Sequence, residues 1–230
     1  MDLASNIASV RERIAAACAR ANRDPASVIL MAVTKTQPPD VVSEAARLGL
    51  TLFGENKVQE AKNKIPLCPG RITWHMIGHL QTNKAREAVG LFSMIQGVDS
   101  LHLAEEINKR AEQASKTMPI LLEVNIVGEA SKFGYKPEQL LADFARLNEL
   151  RRLEVHGLMT IPPWTPLPER TRPIFRRLKE LRAECEKILG APLPHLSMGM
   201  SGDFEVAIEE GATLVRIGTA LFGERPKAEA

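Results

Sequence analysis

Short apolar runs alternate along this chain with longer stretches in which apolar positions recur every three or four residues. The run from Val28 to Thr34 is continuous and not alternating, as expected of a strand buried on both faces. Comparable runs at Thr51 to Phe53, Thr73 to Met76, Ser93 to Gln96, Ile120 to Asn125, Arg152 to Leu158, His195 to Ser197 and Leu214 to Ile217 predict seven further strands. Between them a helical period is clear at Leu101 to Ser115 and at Arg170 to Leu189. Eight strands alternating with helices in 230 residues favour a closed parallel (β/α)8 TIM barrel over an open doubly wound sheet. Ahead of the first strand, Ile7, Val10, Ile14 and Ala17 mark one face of a helix from Ala4 to Asn22, extra to the barrel. No repeat, low-complexity tract or Gly/Ser linker divides the chain, so residues 1–230 are expected to form one domain, with a helical segment at 1–24 and the barrel at 25–225.

Composition narrows the partners. The chain is 44% hydrophobic and 25% charged, with 30 basic and 28 acidic residues interspersed, for a net charge of +2. So small a net charge produces no overall field to favour nucleic acid or an anionic membrane, and a small-molecule partner is expected. Cys18, Cys68 and Cys185 are odd in number and far apart, which argues against a disulfide framework and for a reducing cytoplasm. The first residues lack the pattern of a signal peptide, and no stretch approaches the roughly 18 apolar residues of a membrane span.

The first chemical signal is Lys35, placed where the first strand ends and before Pro38 and Pro39. A lysine partly desolvated at the mouth of a barrel loses its proton more readily and can condense with an aldehyde as a Schiff base; a solvated lysine at a strand end is the plainer reading. The second signal lies at the far end. Ser197, Met198, Gly199, Met200, Ser201, Gly202 and Asp203 precede a helical pattern from Phe204 to Glu210, with Ser201 a natural N-cap. The next strand runs into Gly218 and Thr219. Loops after strands seven and eight are the usual phosphate cradle of such barrels, although each segment alone is also an ordinary helix start. No G-x-G-x-x-G follows the first strand and no Walker loop occurs, so a small phosphorylated ligand is expected in place of a dinucleotide or nucleoside triphosphate.

Lys35 together with 196-LSMGMSGDFEVAIEEGATLVRIGTALFG-223 closely resembles the pyridoxal phosphate homeostasis protein family, single-domain relatives of the alanine racemase barrel, of fold type III. The segments 54-GENKVQEA-61, 74-WHMIGHLQTNK-84 and 157-GLMTIPP-163 carry the resemblance through the middle of the chain. It implies that Lys35 holds pyridoxal 5′-phosphate as a Schiff base, with Ser201, Gly202, Gly218 and Thr219 around the phosphate, Arg216 facing the pyridine nitrogen, and Asn56 and Met198 lining the ring. It further implies a role in storing or delivering the cofactor without catalytic turnover, with pyridoxal-dependent apoenzymes as recipients and a monomer expected over an oligomer.

Two enzymatic readings stand beside this one. A single-domain racemase would use the same barrel, but racemases take one of two bases from a separate C-terminal β-domain, and the sequence ends seven residues after Gly223. Ile161 also stands where the racemase pattern leads one to expect a histidine. A class I aldolase would carry its lysine on a later strand. Among weaker signals, His75 and His79 are spaced as a helical metal pair, but no adjacent glutamate completes the motif and no metal site is expected. His79, Gln81 and Asn83 are expected to cap the helix near Thr82 and to support the ring. Lys132 offers a second amine on the ligand face, and Trp164 in the proline-rich segment after strand six is placed to roof the pocket.

Overall fold

Strand β1 (Ile29–Val33) pairs in parallel with β2 (Leu52–Glu55) on one side and with β8 (Leu214–Ile217) on the other, so the sheet closes on itself. The remaining staves are β3 (Thr73–Met76), β4 (Met94–Val98), β5 (Met118–Glu123), β6 (Leu153–Met159) and β7 (His195–Ser197), each parallel to its neighbours in chain order. This computed structural model describes residues 2–129 and 132–224. After an N-terminal α1 (Leu3–Arg20), the return helices are α2 (Pro39–Arg47), α3 (Val58–Lys64), α4 (Ala85–Leu91), α5 (Leu101–Gln113), α6 (Pro137–Asn148), α7 (Arg172–Leu189), α8 (Phe204–Glu209) and α9 (Thr219–Phe222). The predicted barrel is thus the observed one, with strand ends shifted by up to two residues. Among the described residues no helix is long and apolar enough to cross a membrane.

The main core lies between strands and helices, where Phe53, Trp74, Ile95, Leu122, Leu158, Leu196 and Val215 meet the apolar faces of the helices. Two smaller apolar clusters fill the lumen, one of Met31, Val33, Ile77 and Leu214, the other of Met94, Leu121 and Met159. Gly54 makes room for the first: a Cβ there would lie 2.7 Å from Met31 Sδ and 2.9 Å from Ile77 Cδ1. Helix α1 buries Ile7, Val10, Ile14, Ala17 and Cys18 against the barrel. Its polar side reaches α8, where Arg13 forks onto Glu205 at 2.9 Å and Arg20 pairs with Glu209 at 2.7 Å. Exposed ion pairs contribute little, so the apolar stripe holds α1 in place and the pairs set its register.

Candidate functional site

At the C-terminal ends of the strands the barrel opens into a cavity of about 480 Å³, a size suited to one small molecule. Lys35, Asn56, Ser201, Gly202, Arg216, Gly218 and Thr219 all line it, brought together from the ends of β1, β2, β7 and β8. Met198 does not. Inside β7 the side chains alternate, and since Ser197 points into the lumen, Leu196 and Met198 point outward into the core between strands and helices. Met198 is therefore a packing residue and not part of the cavity wall.

Ser201 is not the N-cap of α8; Asp203 holds that place, and its carboxylate accepts from the Met200 amide at 2.7 Å within the turn. The Ser201 hydroxyl instead accepts from the Ala220 amide at 3.1 Å, which ties the turn after β7 to the first residues of α9. A hydroxyl accepting there keeps its own proton to donate. The turn is possible because Gly199 sits at φ +93°, and a Cβ on it would lie 2.6 Å from Ala207 Cβ and 2.9 Å from Phe204 Cα. On the opposite wall, Asn56 presents a buried Oδ1 with no protein partner. An orphaned acceptor in a cavity wall is a place where a polar ligand atom belongs.

Arg216 forms the floor, 3% exposed. Its Nη1 donates to Ser197 Oγ at 2.7 Å and its Nη2 to the Thr160 carbonyl at 2.8 Å. A guanidinium only donates, and this sets the direction of the hydrogen bonds beyond it. Ser197, accepting from Arg216, donates to Gln96 Oε1 at 2.7 Å, and the Gln96 amide then donates to His75 Nδ1 at 2.9 Å. His75 is consequently neutral with its proton on Nε2. Burial, with the nearby His195 adding to it, lowers its pKa to about 4. Burial also lowers Arg216, to about 10, against the charges of Glu123 and Asp203, so it remains cationic at neutral pH. Of this relay the sequence points to Arg216 alone; Ser197 and Thr160 lie inside motif segments without an expected role, and Gln96 sits in the middle of β4, whose apolar neighbours hide its inward direction.

Glu123, at the top of β5 and 7% exposed, is a second buried titratable group near the floor. Burial raises its carboxyl to about 7 from 4.5, with Arg216 pulling the other way. The folded protein binds this proton more tightly than the unfolded chain, so the contribution of Glu123 to stability falls as pH rises from 4.5 to 7 and is level above. His75 slopes oppositely, its contribution rising between pH 4 and 6.5. Replacing Glu123 by Gln is therefore expected to stabilise the protein by about 3 kcal/mol at pH 8, a gain that vanishes near pH 4.5. Urea unfolding at several pH values measures it, and a pH-independent change of either sign would contradict the assignment.

The ring-support role expected of His79, Gln81 and Asn83 is not observed. They line a separate open cavity of about 460 Å³ beside α5, where His79 Nδ1 meets Asp99 Oδ2 at 3.0 Å and the imidazole stacks on Phe133 at 3.6 Å. Gln81 takes the N-cap position before Thr82–Lys84 with no side-chain cap bond. His75 and His79 thus face different surroundings, and among the described residues no group of three or more His, Cys, Asp or Glu could hold a metal ion. Lys132 stands at the rim, its Nζ 3.5 Å from the Ile161 carbonyl and 3.4 Å from the Glu129 carboxylate. Ile161 and Trp164 line the mouth, Trp164 being 88% exposed; it flanks the opening and does not close it.

Residues 5–226 match the family model described as alanine racemase, N-terminal domain. The chain is 48% identical over 226 residues to the pyridoxal phosphate homeostasis protein of Aquifex aeolicus, covering 98% of this chain and 99% of that one, and 44% identical to its counterpart in Pseudomonas aeruginosa, covering 97% and 96%. Among solved structures, PipY of Synechococcus elongatus PCC7942 with pyridoxal phosphate (PLP) bound superposes with a TM-score of 0.85 at 36% identity, over 96% of this chain and all of that one. An alanine racemase from Bartonella henselae shares the fold at a TM-score of 0.72 and 14% identity, over 98% of this chain and 60% of the racemase.

Proposed function

This chain belongs to the alanine racemase N-terminal domain family and, within it, to the pyridoxal phosphate homeostasis proteins, and we propose that it binds pyridoxal 5′-phosphate in the barrel-mouth cavity and stores or delivers it in the cytoplasm. The observation that carries this reading is the convergence on one cavity of an amine (Lys35), a buried donor-only cation (Arg216) and a paired set of hydroxyl and amide donors (Ser201, Gly202, Gly218, Thr219). The cofactor supplies an aldehyde, a ring that withdraws electrons and a dianionic phosphate. Lys35 holds it as a Schiff base. Ser201 and Thr219 donate to the phosphate together with backbone amides of the two junctions. Asn56, whose Oδ1 otherwise lacks a partner, supports the ring side of the wall.

Carriage without turnover fits the floor. Arg216 is tethered at two points and can only donate, so a ring nitrogen placed against it would accept and would stay unprotonated, and the ring would withdraw electrons less strongly. Ile161, at the rim after β6, brings no titratable side chain to the face on which a racemase base would act. The three free thiols fit a reducing compartment.

Two measurements test the reading. With L-amino acids in deuterium oxide, the loaded protein is expected to show neither rapid α-proton exchange nor enantiomer interconversion. Mixed with a pyridoxal-dependent apoenzyme, it is expected to restore that enzyme's activity. Racemisation faster than roughly 1 s⁻¹ would replace carriage by catalysis.

A further inference from the structure

Thr36, next to Lys35, has φ +67°, a left-handed conformation that a β-branched residue adopts only when its surroundings impose it. The surroundings are polar: Thr34, Glu55 and Lys64 are buried, Glu60 is half-buried and Thr36 itself lies at the surface. The Thr36 amide donates to Glu60 Oε1 at 2.6 Å. The same oxygen accepts from Lys64 Nζ at 2.7 Å, and Lys64 spends its other two donors on the Thr34 carbonyl at 2.7 Å and on Glu55 Oε1 at 2.8 Å. Thr34 Oγ1 closes the cluster by donating to Glu55 Oε1 at 2.7 Å. The residues on both sides of Lys35 are therefore tied to β2 and α3 by groups that do not line the cavity.

We propose that Glu60 and Lys64 are positioning residues for Lys35: by holding Thr34 and Thr36, they keep the backbone in the left-handed turn that directs the Lys35 amine into the cavity. This rests on the reading that Lys35 Nζ forms a C=N bond to an aldehyde while water leaves. With the Glu60 carboxylate gone, the left-handed conformation keeps the turn bond from the Gln37 amide to the Thr34 carbonyl at 2.9 Å but loses its side-chain anchor, and Thr36 relaxes toward negative φ, turning Lys35 away. Glutamine keeps an oxygen that can accept from the Thr36 amide and from Lys64. Glycine at position 36 has no penalty to relieve. A plain structural ion pair predicts neither of these compensations.

The test avoids removing Lys64, which would strand the buried Glu55. It compares Glu60→Ala, Glu60→Gln and the double variant Thr36→Gly/Glu60→Ala, following by absorbance the reaction of each with pyridoxal 5′-phosphate, then trapping with borohydride and mapping the labelled peptide. Glu60→Ala is expected to react about tenfold more slowly, the size of effect that releasing one strained residue implies. Glu60→Gln should stay within about twofold of the parent protein, and the double variant should recover most of the loss. Hydrogen exchange of the Thr36 amide gives a readout independent of the aldehyde: protection is expected in the parent and in Glu60→Gln and absent in Glu60→Ala. An unchanged rate in Glu60→Ala, equal slowing by Ala and Gln, or no recovery on adding the Thr36→Gly substitution would each overturn the proposal. A label that misses Lys35 in the parent protein would instead overturn the function on which it rests, so the two failures are told apart.

Discussion

Substituting Lys35 by alanine is expected to abolish the visible absorption of the protein incubated with pyridoxal 5′-phosphate while leaving its circular dichroism intact. Lys35 follows β1 at the cavity wall, so its removal leaves no void in the core. What is lost is the covalent attachment, and the phosphate and floor contacts alone can hold the cofactor only noncovalently. Borohydride treatment and peptide mapping of the unsubstituted protein are expected to place the label on Lys35. A visible band that persists in Lys35→Ala, or a label chiefly on Lys132 at the rim, would move the site.

The paired substitution Ser201→Ala with Thr219→Val is expected to weaken binding of the phosphorylated cofactor by about 10² to 10⁴, since two hydrogen bonds to a charged group are worth about 3–6 kcal/mol together. Pyridoxal, lacking the phosphate, is expected to lose far less. Comparing the two ligands is essential, because Ser201 also accepts from the Ala220 amide and its loss disturbs the start of α9. That disturbance is common to both ligands and cancels in their ratio. Equal weakening of both would remove phosphate from the assignment of this end of the cavity.

The cavity is largely legible in the chain because its parts lie at predictable places. In a barrel the residue just past a strand faces the open end, so locating the strands near Val33, Ile217 and Ser197 also locates Lys35, Gly218, Thr219 and the turn at Ser201. The departures from expectation have a common origin. Nearness in sequence to motif residues points to Met198 on the ring wall and to His79, Gln81 and Asn83 as its support, whereas one step along a strand reverses the direction of a side chain and a few steps along a loop carry it to another cavity. Ser201 reads as a cap because it precedes a helix, but its bond crosses to a segment 19 residues away.

The sequence by itself determined that there are eight parallel strands, that a helix precedes them, and that an amine and a phosphate-suited pair of junctions share one end of the barrel. These follow from local signals: continuous apolar runs, helical periods, and glycine or hydroxyl residues at strand ends. Only the tertiary structure decided which side chains enter the lumen and which partners they find there. Strands covered on both faces are apolar at most positions, so hydropathy keeps only a weak record of which residues point inward, and the choice between Ser197 and Met198 was settled once β7 was seated between its neighbours. The same holds for the contacts that give Arg216 and Lys35 their settings. Ser197 meets Gln96 across 101 positions of sequence and Lys64 meets Thr34 across 30, encounters that closure of the barrel and packing of α3 against it create and that no local pattern encodes.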